Sequence, residues 1–422
     1  MLYDHGPETH ANRGAGDMDG SVQLEMRYGA SNYAPLPVTI VRGKGVYLWD
    51  DGGRRYVDMM GAYSAASFGH SHPRLVQALT DQARQLDTVS RAYFNDRLGV
   101  FLARACRLTG MDLALPMNSG AEAVETALKA ARKWAYKVKG VPDGRAEIIV
   151  CDGNFHGRTI AIVGFSSVAQ YRDGFGPFPP GFRSVPFGDA AALRAAITPN
   201  TAAFLVEPIQ GEGGIIVPPS GYLAEVAHIC REHDVLLICD EIQSGLGRTG
   251  KLLACQHDGV TPDAVTLGKA LGGGLLPVSL FLARREVMRV FSPGDHGSTF
   301  GGNPIAAAVG LAALDTLIEE GLVERSARLG AHLLARLRAI ENPVIREVRG
   351  CGLFAGVELD RDSASAATVA TQLLRAGVLT KDTHRNTIRF APPLIIEETQ
   401  IDWVTDRVAE VLNELARADA HP

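Results

Sequence analysis

The chain is short of the features that mark secreted, metal-held or membrane-spanning proteins. Its six cysteines, at positions 106, 151, 230, 239, 255 and 351, show no C-x-x-C spacing and fall mostly within apolar runs. That pattern excludes a disulfide scaffold and a cysteine-held zinc, and it fits buried thiols in a reducing compartment. No uncharged apolar run reaches the roughly 18 residues of a membrane span. There is no basic block, and 42 cations against 47 acids leave a net charge of −5. Nucleic acid and anionic membrane surfaces are therefore not expected as partners. The 12 histidines form no metal-ligand cluster, so no metal is expected. The N-terminus carries Asp4, Glu8, Asp17, Asp19 and Glu25, too acidic for a secretory or transit peptide. Residues 1–30 read as a mobile arm and the protein as cytoplasmic.

What is present is a long soluble-type chain. At 422 residues it exceeds one simple core, so two or three domains are expected. Its most informative stretch runs from Val235 to Pro277. An apolar run there ends in Asp240 and Glu241, and a second, AVTLG, delivers Lys269 before Gly272–Gly274. A carboxylate and an amine at the ends of buried strands are each costly without a partner. Together they suggest a cofactor that needs both an anion and an amine.

Several other segments bear on that idea. The prolines around Tyr33 precede a hairpin pattern about the turn Asp51–Gly53. Small residues around Tyr63 lead into a helix opened by Pro73. Ser119 and Glu122 have capping-box spacing, with Gly120 between them. This opens a helix whose N-terminal N–H groups suit a phosphate, although taken alone it is simply a well-capped helix. The loop GNFHGRT sets Phe155 and Arg158 around His156, offering an aromatic face and a fork for a carboxylate, or a plug and a solvated cation. A further apolar run ends in Glu207, followed by a glycine loop holding Glu212.

Strands and helices alternate from about residue 145 to 285, the pattern of an α/β sheet with ligands at the carboxyl ends of its strands. From Asn303 the pattern becomes α+β, and Arg389 lies inside strand-like IRFAPP, where a cation needs an anion. Gly245–Gly250 matches G-x-G-x-x-G, but two acids intervene after the strand, no clear crossover helix follows and no ribose-binding acid is in place. A dinucleotide reading is rejected.

The motifs NYAPLPV, AYSA, GHSHP, LPMNSGAEAVETALKAARKW, GNFHGRT, VEPIQGEGG, CDEIQSGLGRTG, LGKALGGGLLPVS, GSTFGGNP and IRFAPPL occur in one order across residues 31–415. In this the chain resembles the class III, fold type I aminotransferases that use pyridoxal 5′-phosphate (PLP), most closely members acting on ornithine and 2-oxoglutarate. The resemblance implies an α/β fold with a large domain, residues 61–302, whose mostly parallel sheet lies between helices. A smaller α+β domain would follow at 303–422, with segment 31–60 packed on it. It implies that Lys269 forms a Schiff base with PLP and moves the proton, that Asp240 pairs with the ring nitrogen, and that Gln243 bonds the phenolic oxygen. Phe155 would stack on the ring, Gly120 and Ala121 would hold the phosphate, and Thr299 would reach the phosphate of the neighbouring subunit in a homodimer.

For substrates, the same resemblance implies that Arg389 and Arg158 take the α- and distal carboxylates of 2-oxoglutarate. Glu212 would mask Arg389 when L-ornithine is bound, and Tyr33 and Tyr63 would hold ornithine's α-groups. Relatives acting on N-acetylornithine or other ω-amines are the alternative, and a PLP-fold binding protein without turnover is a remote one. His156, Phe68 and Leu276 depart from the family pattern, and Phe68 would shift substrate preference if it reached the pocket.

Overall fold

The structure, a computed structural model, describes residues 18–361, 364–384 and 386–419. The first seventeen residues of the expected arm lie outside that range. Its remainder carries a largely exposed helix, Met18–Tyr28. Strands β1 (Ile40–Lys44), β2 (Tyr47–Asp50) and β3 (Arg55–Asp58) then form an antiparallel meander.

The central sheet has seven strands: β4 (Leu113–Met117), β5 (Glu147–Cys151), β6 (Phe182–Val185), β7 (Thr201–Val206), β8 (Leu236–Asp240), β9 (Ala264–Leu267) and β10 (Ser279–Ala283). Their spatial order is β4-β10-β9-β8-β7-β5-β6. Only the pairings of β10, with β4 and β9, are antiparallel. Strands β7 to β10 are buried at every position, which is why they read as unbroken apolar runs.

Alternate residues feed two cores. Phe204, Val206, Leu237 and Cys239 pack with Leu223, Val226 and Cys230 of the helix Tyr222–Glu232. Ala203, Leu205, Leu236 and Ile238 pack with Val124, Ala127 and Ala131 of the helix Gly120–Trp134. Helices thus cover both faces, the α/β arrangement expected.

After the helices Pro304–Glu319 and Leu322–Arg338 come β11 (Ile345–Gly350), β12 (Ala355–Leu359), β13 (Val378–Leu379), β14 (Asp382–Thr383) and β15 (Thr387–Phe390). Four of these form the antiparallel sheet β11-β12-β15-β14. The fifth, β13, pairs parallel with β3 and so extends the N-terminal meander. Among the described residues no helix is long and apolar enough to cross a membrane, and no group of three or more His, Cys, Asp or Glu could hold a metal.

Candidate active site

Asp240 closes β8 and Lys269 stands two residues beyond β9, both at the carboxyl end of the sheet. A carboxylate this deep needs partners. Oδ1 of Asp240 accepts from the Thr266 hydroxyl at 2.9 Å and the Ile242 N–H at 3.1 Å, and Oδ2 lies 2.6 Å from His156 Nδ1. Burial opposes protonation of His156, but the hydrogen bond and charge of Asp240 outweigh it and raise its pKa.

Beside them Glu207 accepts the N–H groups of Phe155 at 2.8 Å and Gly211 at 3.2 Å. Burial, aided by the charge of Asp240 and opposed by His156, pushes its carboxyl up to about 7. Its pKa rises from 4.5 on folding, so the stabilisation is complete below 4.5 and lost as pH passes 7. The loss is of order 3 kcal/mol at about 1.4 kcal/mol per pKa unit. Denaturant unfolding of the cofactor-free protein at pH 5 and 8 should register this fall, and Glu207→Gln should remove it. An equal pH slope in the variant would refute the assignment.

Lys269, Asp240, Gln243, Phe155, Gly120 and Ala121 line one cavity of about 180 Å³. The helix Gly120–Trp134 begins at its wall. Ser119 Oγ accepts the Glu122 N–H at 3.3 Å, and the Glu122 carboxylate accepts the Ser119 N–H at 2.7 Å. This box satisfies its own donors and leaves the first helical N–H groups for an anion. A Cβ at Gly211 would fall on the amide oxygen of Gln243, so glycine is required for that amide to sit there. Burial, opposed by Glu212 and Asp240, lowers the pKa of Lys269. An anion cradle, an aromatic face, an amide, an amine and a carboxylate backed by a histidine suit a flat, anionic heteroaromatic ring with a basic nitrogen and a carbonyl.

The two arginines are in different states. Arg389, only 2% exposed, is held in a bidentate pair with Glu212, Nη1–Oε1 at 2.7 Å and Nη2–Oε2 at 2.8 Å. Burial would raise the pKa of Glu212, but Arg389 more than offsets this and holds it low. Arg158 is exposed, stacked 3.6 Å from the centroid of the Tyr171 ring, and among the described residues no carboxylate pairs with it.

The Tyr63 ring lies 5.0 Å from the Arg389 guanidinium. It projects from four consecutive left-handed residues, Gly61, Ala62, Tyr63 and Ser64, with φ of 53°, 47°, 59° and 76°. Such backbone costs a non-glycine residue roughly 1–2 kcal/mol. Asp58 helps hold it, accepting the N–H groups of Met60 and Gly61 at 2.9 Å and contacting His70 at 2.8 Å.

Comparison with known proteins is decisive for the family. The model described as aminotransferase class-III matches residues 28–412. The chain belongs to the class-III aminotransferases. An ornithine aminotransferase of Brevibacillus brevis is 54% identical over 392 residues, covering 93% of this chain and 98% of that protein. The solved ornithine aminotransferase of Toxoplasma gondii, whose active site holds PLP at partial occupancy, superposes with a TM-score of 0.93 at 44% identity, covering 95% of this chain and 96% of that one. The acetylornithine aminotransferase of Elizabethkingia anophelis superposes at 0.85, also 44% identical, covering 94% and 99%.

Of this aminotransferase's expected site residues, Tyr33, Tyr63, Arg158, Glu212, Thr299 and Arg389 do not line the Lys269 cavity itself; Glu212 lines the neighbouring cavity that shares Phe155 with it. Tyr33 is 78% exposed. Thr299 lines an open groove with Ser90, Arg91 and Phe300. Phe68 is buried in the main core with Leu75 and is not among the residues that line the cavity. Three residues with clear roles in the structure were given none in the sequence. His156, noted only as a departure, is the partner of Asp240. Arg248, inside the rejected glycine motif, is fully buried and donates to the carbonyls of Leu353 at 2.9 Å and Pro392 at 2.6 Å and to Ser67 Oγ at 2.9 Å. Burial lowers its pKa to about 9. The third is Tyr171.

Proposed function

We propose that this aminotransferase, with PLP as its coenzyme, transfers the δ-amino group of L-ornithine to 2-oxoglutarate. The products are glutamate and glutamate-5-semialdehyde, which closes on its own amine to pyrroline-5-carboxylate with loss of water. The observation that carries this reading is the bidentate Glu212–Arg389 pair, with Arg158, 5.4 Å from the centroid of the Phe155 ring that lines the Lys269 cavity, left without a carboxylate partner among the described residues. An α-carboxylate cannot use Arg389 while Glu212 occupies it, so a donor is steered to present its distal amine. A dicarboxylate acceptor can displace Glu212 and engage both arginines. The names of the similar proteins agree with this choice of donor.

The donor set of the cavity fits PLP, which when bound supplies an electron sink that acidifies the C–H beside the amine. Gly120 and Ala121 would take its phosphate through their N–H groups, Phe155 its ring face, Asp240 its nitrogen and Gln243 its phenolic oxygen. Asp240, held in place by its hydrogen bond with His156, would favour a protonated ring nitrogen. Lys269 would anchor the aldehyde and carry the proton to and from the amine-bearing carbon. Tyr63, beside Arg389, would orient ornithine's α-groups, with Tyr33 closing over them. In a homodimer, the exposed Thr299 loop would reach the partner's phosphate.

A second reading, transfer from N-acetylornithine, is favoured by the similarity to the Elizabethkingia anophelis enzyme. Single half-reactions with ornithine, N-acetylornithine and 4-aminobutyrate separate the two. Loss of visible absorbance should be fastest with ornithine, by about tenfold or more, the scale of about 1.4 kcal/mol in discrimination. Faster reaction with N-acetylornithine would select the second reading, and a protein that stays colourless with PLP would refute both.

A further inference from the structure

Tyr171 has no part in the roles above, yet it touches both halves of the substrate site. It lies on the short helix Ala169–Arg172. Its ring faces the Arg158 guanidinium at 3.6 Å and meets Phe155 edge-on at 6.3 Å. Its hydroxyl lies 3.2 Å from His384 Nε2, between β14 and β15. The neighbouring Thr383 hydroxyl donates to the Glu212 carbonyl at 2.7 Å. Tyr171, His384, Glu212 and Phe155 line a second cavity of about 190 Å³, which shares Phe155 with the Lys269 cavity.

We propose that Tyr171 is a positioning residue that sets affinity for the dicarboxylate acceptor, by holding Arg158 as a prepared fork for the acceptor's distal carboxylate. This rests on the acceptor assignment made above for Arg158. An exposed arginine has many rotamers, and binding a carboxylate must freeze most of them. Stacking on a ring uses only the face of the guanidinium, so the N–H edge stays open while the side chain is confined. Tyr171 is itself confined on two sides, by Phe155 at its edge and His384 at its hydroxyl. Ornithine needs no carboxylate contact from Arg158 in this arrangement, so the effect of Tyr171 belongs to the acceptor alone.

The test uses the PLP-loaded enzyme and glutarate, a dicarboxylate with no keto group, in calorimetric binding, together with steady-state kinetics. Tyr171→Ala should weaken glutarate and raise KM for 2-oxoglutarate about tenfold, with kcat and the ornithine half-reaction within about twofold. Tyr171→Phe keeps the ring and should stay within about threefold of wild type, its small loss reporting the bond to His384. Equal losses for ornithine and glutarate in Tyr171→Ala would mean that Phe155 has shifted, and would overturn the proposal. Arg158→Ala separates this inference from the reading beneath it. If it weakens glutarate and Tyr171→Ala does not, only the role of Tyr171 falls; if Arg158→Ala has no effect, the acceptor assignment falls with it.

Discussion

Lys269→Ala should abolish transamination, with turnover falling by about 10⁴-fold or more, the upper range for losing a positioned proton carrier. It should also leave a protein that takes up PLP without forming the covalent link seen in visible absorbance. Among the groups lining the cavity, the Lys269 side chain is the amine. Its lowered pKa makes it a better base near neutrality than an exposed lysine. Alanine leaves the buried neighbours Ala270 and Leu271 unchanged. Thermal unfolding should therefore stay close to that of the parent. Rapid mixing with ornithine followed by product analysis checks the loss, and turnover within a hundredfold of the parent would remove Lys269 from the centre of the chemistry.

Glu212→Gln should change both stability and choice of donor. Glutamine is nearly isosteric but carries no charge, so Arg389 is left buried with its cation uncompensated. Removing one partner of such a pair costs about 3–5 kcal/mol, and denaturant unfolding of the cofactor-free protein reads that loss. The same substitution unmasks Arg389 for an α-carboxylate. The rate of the ornithine half-reaction relative to that of glutamate should then fall about a hundredfold, if about 3 kcal/mol of masking is lost at 1.4 kcal/mol per tenfold. A ratio that stays at the wild-type value would show that the pair is structural and does not select the donor.

Much of this was legible because buried strands write themselves as apolar runs. Strands β7 to β10 stand out for that reason, and Asp240 and Lys269 stand out as charges where such runs stop. The capping box at Ser119 is a local code and was equally readable. Contacts between distant residues were not. Asp240 and His156 are 84 positions apart, and no periodicity joins them. The glycines around Arg248 look like a nucleotide loop, but Gly247 and Gly250 have φ of 85° and 86° and make a tight turn that buries the arginine. The left-handed turn at Tyr63 is also silent in sequence, because only one of its four residues is glycine and tertiary contacts impose the rest. Local propensity reports what a segment prefers; here its surroundings override it.

The pairing of β13 with β3 constrains how the protein can be made. Val57 lies opposite Val378 in that ladder, the Met59 N–H donates to the Leu379 carbonyl at 2.8 Å, and the Ala391 N–H donates to the Met59 carbonyl at 2.7 Å. Strand β3 therefore leaves the ribosome long before its partner exists. At about 5–20 residues per second the wait over roughly 320 residues is some 15–60 s. The turn bearing Tyr63 follows β3 directly, so that corner of the site cannot set during synthesis, whereas the sheet bearing Asp240 and Lys269 is already complete once β10 has emerged. The nascent enzyme would thus gain its chemical centre first and its grip on the donor last.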